Sequence, residues 1–421
     1  MHRLCVRPST LKGTLLIPPS KSQTIRAIFF GMMGKGRTLI RNPLLSTDTE
    51  AAVSAARLVG ARVDLREGCL EIEGVAGTPL PARDVIDAKN SGLVLRFMSA
   101  LAGLIPTYTV ITGDESIRTR RPIMPLIEGL RRLGAFAETT RLDGFAPVVI
   151  RGLMQPGSIS VQGEDSQPVS ALLTAASFLK GQTEIHVQNP GEHPWIDLTL
   201  SWLDRLNIGY TRKGYTHFSL SGSAAYDGFE YLVPADFSSA AFPIGAALIT
   251  GSELVIENLD FSDAQGDKKL IYALQKMGAN IEIEERRLIV KKSRLTGSTL
   301  DVGEFIDGIA ILAVIACFAE GVTEIHGAAN ARRKESDRLS AITCELKKMG
   351  AKIEEREESL IVTPAPLRGS SLFSHHDHRI ALSLAVAALG AASESAIDGF
   401  DCTTKTYPTF CQDMRAIGAK L

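Results

Sequence analysis

The sequence predicts an α/β chain built from six copies of one helix-and-strand unit and grouped into two or more domains. Three observations carry this. Segments of the form Leu-x-x-x-Gly-Ala recur at Gly60, Gly134, Gly278, Gly350 and Gly418, with a weaker copy, LDRLNIGY, in which Asn207 takes the glycine's place. Their interval of roughly 70 residues marks a repeated supersecondary unit. A second set of turns runs in phase with the first. The chain, at 421 residues with 45% apolar and 22% charged residues, is also long enough to bury more than one core.

Each Leu-x-x-x-Gly-Ala segment closes an amphipathic helix, with Gly or Asn placed where the backbone leaves the helix in the left-handed conformation. Stretches that follow, such as ANIEIEERRLIVKK and AKIEEREESLIVTP, alternate around a charged turn and read as hairpins. The second set comprises PPSKSQTIRAIFF, AKNSGLVLRFMSA, GEDSQPVSALLTA, PADFSSAAFPIGA, GEFIDGIAILAVI and HHDHRIALSLAVA. Each is a strand-like run entering a polar turn and then an apolar helix. Ser22, Ser91, Ser166, Ser238, Asp307 and His378 hold related positions in them. If the units pack around pseudo-threefold axes, three helix N-termini per domain add their dipoles and free N–H groups into one positive cleft. Lys21 and Arg26 then stand in the first turns of such a helix, where the dipole disfavours cations unless an anion is bound.

Composition narrows the partners. Lys plus Arg (46) nearly cancel Asp plus Glu (47), so no global field draws nucleic acid or anionic membrane, and an anion site has to be local. Cys5, Cys69, Cys317, Cys344, Cys402 and Cys411 are scattered without a C-x-x-C pair, which suggests reduced thiols and neither a zinc site nor a disulfide framework. MHRLCVRPST lacks an apolar signal core, and IAILAVIACFA (309–319) is shorter than the ~20 residues that span a bilayer. A cytoplasmic protein is expected.

Four further stretches carry candidate chemistry. RTRRPIMP offers Arg118, Arg120 and Arg121 before Pro122, which suits a helix start; it also reads as a solvated charge run. NARRKESDRLSA places Lys334 and Arg338 at i and i+4 on one helical face, with Glu335 and Asp337 between them, and alone reads equally as a self-neutralised capped helix. HHDHR invites a metal, but adjacent histidines alternate in direction and no second ligand cluster is suitably spaced, so no metal is expected. CTTKTYPTF holds Lys405 in a Thr-rich loop.

Taken in order, PSKSQTIRA, NSGLVLR, RRPI, DSQ, DFSSAAF, ID, NARRKESDR, DHRIA and K-T-Y-P resemble the 5-enolpyruvylshikimate 3-phosphate synthases over essentially the whole chain. The resemblance implies a two-domain inside-out α/β barrel, each domain having three βαβαββ repeats around a pseudo-threefold axis. The first domain is expected over residues 20–234 and the second over 1–19 and 235–421, with the active site in the cleft between them. It implies a monomeric enzyme without cofactor that transfers the enolpyruvyl group of phosphoenolpyruvate to the 5-hydroxyl of shikimate 3-phosphate and releases phosphate, on the way to chorismate and the aromatic amino acids. Such chemistry needs cations for two phosphates and two carboxylates, and acid/base groups for the enol carbon.

By position, the resemblance assigns catalysis to Glu335 at the methylene carbon, Asp307 at the attacking hydroxyl and Lys21 in charge stabilisation and proton transfer. It assigns shikimate 3-phosphate to Lys21, Ser22, Arg26, Ser166, Gln167, Asp307, Asn330 and Lys334. Phosphoenolpyruvate falls to Lys21, Gly92, Arg121, Gln167, Arg338, His378, Arg379 and Lys405. The chain departs from the usual pattern at Asp165 and Glu192, carboxylates that should repel a bound phosphate unless they turn outward or bridge a cation. Trp195 follows Pro194 where a tyrosine is customary, and Leu93 and Phe97 replace a threonine and a proline. At i and i+4 these two are expected to pack together, nudge the Gly92 turn inward and lower sensitivity to glyphosate. Two rival readings remain: a UDP-N-acetylglucosamine enolpyruvyl transferase, whose mobile loop typically carries a reactive cysteine that TGDESIRTRRP lacks, and a non-catalytic polyanion-binding paralogue.

Overall fold

The computed structural model describes residues 3–421, which fall into two compact α/β units, Pro19–Val233 and the segment up to Pro18 together with Pro234–Leu421. The second unit takes its first strands from the N-terminus: Arg3–Val6 pairs antiparallel with Ser395–Asp398, and Lys12–Leu16 pairs parallel with Glu253–Glu257. The first unit closes its own account at the other end, where Glu230–Leu232 pairs parallel with Arg37–Arg41.

One pairing rule generates all six sheets among the described residues, five of four strands and one of three. One strand runs parallel to a neighbour, and that neighbour is the first of an antiparallel set. Thus Ser158–Gln162 is parallel to Thr183–Gln188, which pairs antiparallel with His217–Leu220, which in turn pairs with Tyr210–Lys213. The strands alternate buried and exposed residues, as in Thr183, Ile185 and Val187 against Glu184, His186 and Gln188, so each sheet buries one face and leaves the other to water.

The buried faces cover nearly apolar helices. In the second unit Phe237–Thr250, Ile309–Ala316 and His378–Leu389 pack on one another, the last two with every residue buried. Helices this apolar on all sides belong in a core. A Cβ at Gly245 would stand 2.9 Å from Ile311 Cδ1, so the glycine lets two of these helices approach. In the first unit Gly92–Ala102 packs on Ser166–Ala176 and Lys21–Met33.

The helix-ending signal holds in all six repeats. Gly60, Gly134, Gly278, Gly350 and Gly418 have φ between 90° and 107°, and Asn207 has φ 53°, so each turns left-handed directly after its helix. Five of the six motif turns open their helix with a side-chain cap. The caps are Ser20, Ser91, Asp165, Asp236 and Asp377, whose side chains accept from backbone N–H groups; Ser22, Ser166, Ser238 and His378 lie one or two residues further in. Pro122 does not open a helix, because the chain first makes Glu115–Thr119 and then starts again at Met124–Arg132 with Pro125 in its first turn. Lys334 and Arg338 do not share a helical face either. Lys334 is extended after the Ala329–Arg333 turn, and the helix begins at Arg338 with Asp337 as cap.

Candidate active site

The sequence-selected residues gather in two clusters, one within each unit. In the first unit, Ser20 caps the Lys21–Met33 helix by accepting from the Gln23 amide, which leaves Lys21 as the first helical residue. Its Nζ lies 3.4 Å from Asp48 Oδ2, on the first turn of the Thr47–Leu58 helix. The carboxylate supplies part of the negative charge that a cation at a helix start calls for. Arg26 is buried: Nε donates to Thr199 Oγ1 at 3.0 Å, Nη2 to the Trp195 carbonyl at 3.1 Å and Nη1 to the Ser22 carbonyl at 3.2 Å. Its guanidinium also lies 5.5 Å from the Phe97 ring centroid. Arg26 therefore ties the first helix to the His193–Arg205 helix.

Gly92 is where Arg96, Arg121 and Gln167 converge. A Cβ there would stand 2.7 Å from Arg121 Nη1, 2.8 Å from Arg96 Nη1 and 3.3 Å from Gln167 Oε1. Any side chain would push the guanidinium groups aside. Arg96, absent from the sequence-selected set, holds this corner: Nη1 donates to Gln167 Oε1 at 3.1 Å and to the Gly92 carbonyl at 3.2 Å, and Nη2 to the Pro122 carbonyl at 2.9 Å. The signal for it was the i, i+4 spacing in NSGLVLR.

The two departing carboxylates find partners inside the protein. Asp165 caps the Ser166–Ala176 helix, accepting from the Gln167 amide at 3.0 Å, and its Oδ2 lies 3.0 Å from Arg96 Nη2. Glu192, buried and in the left-handed conformation, accepts from Ser166 Oγ at 3.1 Å. Leu93 and Phe97 diverge in environment. Phe97 is fully buried and stacks on Phe29 with centroids 5.8 Å apart, while Leu93 is only partly buried against the same core.

The second unit holds a denser network around Arg338, which is 1% exposed. Its Nη1 donates to Asp307 at 2.6 Å, Nη2 to Glu335 at 2.8 Å and Nε to Asp377 at 2.8 Å. Arg379 Nη2 donates to Ser238 Oγ at 2.6 Å and to the other Asp307 oxygen at 3.0 Å, and Nη1 to the Ser238 carbonyl at 3.1 Å. Lys405 Nζ donates to Glu335 Oε1 at 2.7 Å. Asp377 is completely buried; it also accepts from Ser336 Oγ and from the Arg379 amide. His378 is buried beside it, Lys334 adds positive potential at Asp307, and Asn330 lies in the Ala329–Arg333 turn. His375 donates instead to Glu345, at 2.8 Å, so HHDHR splits between two environments.

Charge sets the protonation states. Burial pushes the Asp307 carboxyl up, but Arg379, Arg338 and Lys334 together outweigh it and hold Asp307 well below the usual range, fully ionised. Asp267, on the Gly266–Lys268 turn, is pushed up to about 8 by burial and by the Asp307 charge. Asp377, Asp48 and Arg96 join these clusters without having been assigned from the sequence, and Ser238, read there only as a helix-start position, joins through Arg379. In chemical terms the second cluster pairs Arg338, Arg379 and Lys405 with Asp307, Glu335 and Asp377, with Lys334 adding a further positive charge, and such pairs can be displaced by an incoming polyanion partner by partner.

The sequence matches the EPSP synthase (3-phosphoshikimate 1-carboxyvinyltransferase) family over residues 6–414. A 3-phosphoshikimate 1-carboxyvinyltransferase of Chlamydia caviae is 42% identical over 99% of this chain and 94% of its own length. Those of Ruminiclostridium cellulolyticum and Methanocella arvoryzae are 39% and 41% identical, each over 99% of both chains. The solved EPSP synthase of Acinetobacter baumannii superposes with a TM-score of 0.83 at 28% identity, covering 100% of both chains.

Proposed function

Because the chain belongs to the EPSP synthase family, we propose that its two clusters carry the transfer of the enolpyruvyl group of phosphoenolpyruvate to the 5-hydroxyl of shikimate 3-phosphate, with release of phosphate. The reaction serves aromatic amino acid biosynthesis through chorismate. The single observation that favours this division of labour is the Arg338 network, in which two candidate acid/base groups, Asp307 and Glu335, are held by the same cations that suit a phosphate and a carboxylate.

In this reading Arg338, Arg379 and Lys405 bind phosphoenolpyruvate together with Arg121, Gln167, His378 and the Gly92 backbone. Ser22, Arg26, Ser166, Gln167, Asn330 and Lys334 hold shikimate 3-phosphate. When an anionic substrate takes over the guanidinium groups, Asp307 loses the cations that make it a weak base and becomes able to accept the proton of the 5-hydroxyl. Glu335, released in part from Lys405 and Arg338, delivers a proton to the methylene carbon and removes one when the tetrahedral intermediate expels phosphate. Lys21 neutralises developing charge, with Asp48 fixing its position.

The six sheets of one topology and the buried helices between them support the inside-out barrel with a pseudo-threefold axis in each domain. No helix among the described residues is long and apolar enough to cross a membrane. Asp165 and Glu192 are bound to Arg96 and Ser166, which weakens the case for a non-catalytic paralogue. Phosphate release from phosphoenolpyruvate tests the reading: it should require shikimate 3-phosphate, and neither UDP-N-acetylglucosamine nor water should replace it. Release with UDP-N-acetylglucosamine, or none with either acceptor, would overturn it.

A further inference from the structure

We propose that the outward face of the sheet containing Thr183–Gln188 binds a divalent transition-metal ion of the zinc class through Glu184, His186 and His217. The ladder places them. His186 stands directly opposite His217, and Glu184 directly opposite Ser219, one pleat along on the same face. Directly opposed side chains on a face come within about 5 Å, and the two imidazole rings lie with centroids 4.8 Å apart, tilted by 45°. One donor atom from each of the three residues lies within 4.8 Å of the other two, and all three side chains reach water.

The carboxylate is already oriented as a ligand. Glu184 Oε1 accepts from Gln182 Nε2 at 2.6 Å and from Ser219 Oγ at 3.1 Å, while Oε2 meets His217 Nε2. Metal-bound carboxylates are held in this manner, one oxygen fixed by neighbours and the other left for the ion. A metal takes the place of the hydrogen bond between His217 and Glu184, and the exposed His186 turns about its side-chain torsions to close the third bond.

Two imidazoles and one carboxylate select zinc, copper or nickel over magnesium or calcium, which prefer all-oxygen sites. Three protein ligands leave a fourth position for water. Lys213, opposite His217 on the outer hairpin strand, is the cation that opposes binding; its flexible, exposed chain can carry the charge into solvent. The three ligands are separate from every residue assigned to substrate. No local spacing announces them, since the pairing through the sheet brings together Glu184-x-His186 and a histidine from a distant hairpin.

Titration calorimetry on the full chain without an affinity tag, using zinc chloride and magnesium chloride in turn, tests this. Zinc should bind saturably at a single site and magnesium should not. His186→Asn and His217→Asn should each weaken zinc by at least about tenfold, and the double variant should abolish the site. Cobalt(II) added to the wild type should give the visible band of a tetrahedral site, absent from the double variant. Glu184→Gln keeps an oxygen for Gln182 and Ser219 but loses the anion, so it should also weaken zinc even if a histidine replacement disturbs the sheet. Zinc affinity unchanged in Glu184→Gln and in both histidine variants, or the same cobalt spectrum in wild type and double variant, would overturn the proposal.

Discussion

Asp165 ties two helices of the first unit together: its Oδ1 accepts from the Gln167 amide at 3.0 Å and its Oδ2 lies 3.0 Å from Arg96 Nη2. Because Arg96 in turn holds Gln167 and the Gly92 carbonyl, Asp165 sets the corner assigned to phosphoenolpyruvate. Asp165→Asn keeps the cap and removes the charge. Arg96 is almost fully buried while Asp165 is about one-third exposed, so solvent screening reduces the loss to about 1 kcal/mol of stability. The KM for phosphoenolpyruvate should rise with little change in kcat. A urea midpoint and a KM both equal to wild type would remove Asp165 from this role.

Asp377 is predicted to matter more. It is wholly buried and aligns Arg338 through Nε while capping the helix that carries Arg379. Asp377→Ala leaves a buried guanidinium short of a counter-charge, a change that typically costs about 3 to 5 kcal/mol. Urea denaturation should show the loss. A cost below about 1 kcal/mol would mean that Asp307 and Glu335 suffice to hold Arg338.

Glu335→Gln separates chemistry from binding. The amide retains the side chain's size between Lys405 and Arg338 but cannot shuttle a proton, so turnover should fall by about 10² or more. Phosphate release under saturating substrates measures it. Near-normal turnover would exclude Glu335 from proton transfer.

The sequence carried the repeats because their signals are local. A left-handed residue after each helix is required by backbone geometry, and even Asn207, chemically unlike glycine, takes the same conformation. The candidate residues around Arg338 were legible through the order of motifs that the chain shares with the family, since alone NARRKESDRLSA read equally as a self-neutralised capped helix. What was not legible depends on distance in sequence. Asp377 pairs with Arg338 across two helices, Asp48 reaches Lys21 from the next helix, and Glu192 reaches Ser166 through a turn, none of which leaves a spacing pattern. Ser-Lys-Ser and Asp-Phe-Ser-Ser each offer several competent caps, and only the folded backbone chooses Ser20 and Asp236 among them.

Asp267 should give the second unit an unusual pH dependence. Its folded carboxyl loses its proton at about 8, raised by burial and by Asp307, from an ordinary value of 3.8. Between those values the folded state keeps a proton that the unfolded state has released, so raising pH through this window lowers stability. Asp307 works in the opposite sense, since its depressed value adds stability above the ordinary carboxylate range and loses it in acid. Asp267→Asn should therefore flatten the fall in urea midpoint between about pH 5 and pH 8 and raise the midpoint at the alkaline end. A slope identical to wild type would show that Asp267 titrates normally.

The last prediction concerns Leu93 and Phe97, which differ in burial. Phe97 stacks on Phe29 and faces the Arg26 guanidinium, so its bulk is absorbed by the core rather than by the Gly92 turn. Proline at position 97 would fall inside the Gly92–Ala102 helix and cost about 3 kcal/mol, which makes it a poor probe of inhibitor binding. Leu93, partly buried and one residue beyond Gly92, is the position able to press on the turn where Arg121 and Arg96 approach within 3 Å of a would-be Cβ. Glyphosate is longer than phosphoenolpyruvate and loses more when that turn moves inward. Leu93→Thr should therefore gain glyphosate sensitivity by about 1 to 3 kcal/mol, the scale of a methylene-sized change in a pocket, while the KM for phosphoenolpyruvate changes less than threefold. Phe97→Leu, which trims a ring packed on Phe29, should lower stability without altering inhibition. Inhibition constants measured beside KM for both variants decide the matter: equal glyphosate sensitivity in wild type and Leu93→Thr would show that the turn sits where a threonine would leave it.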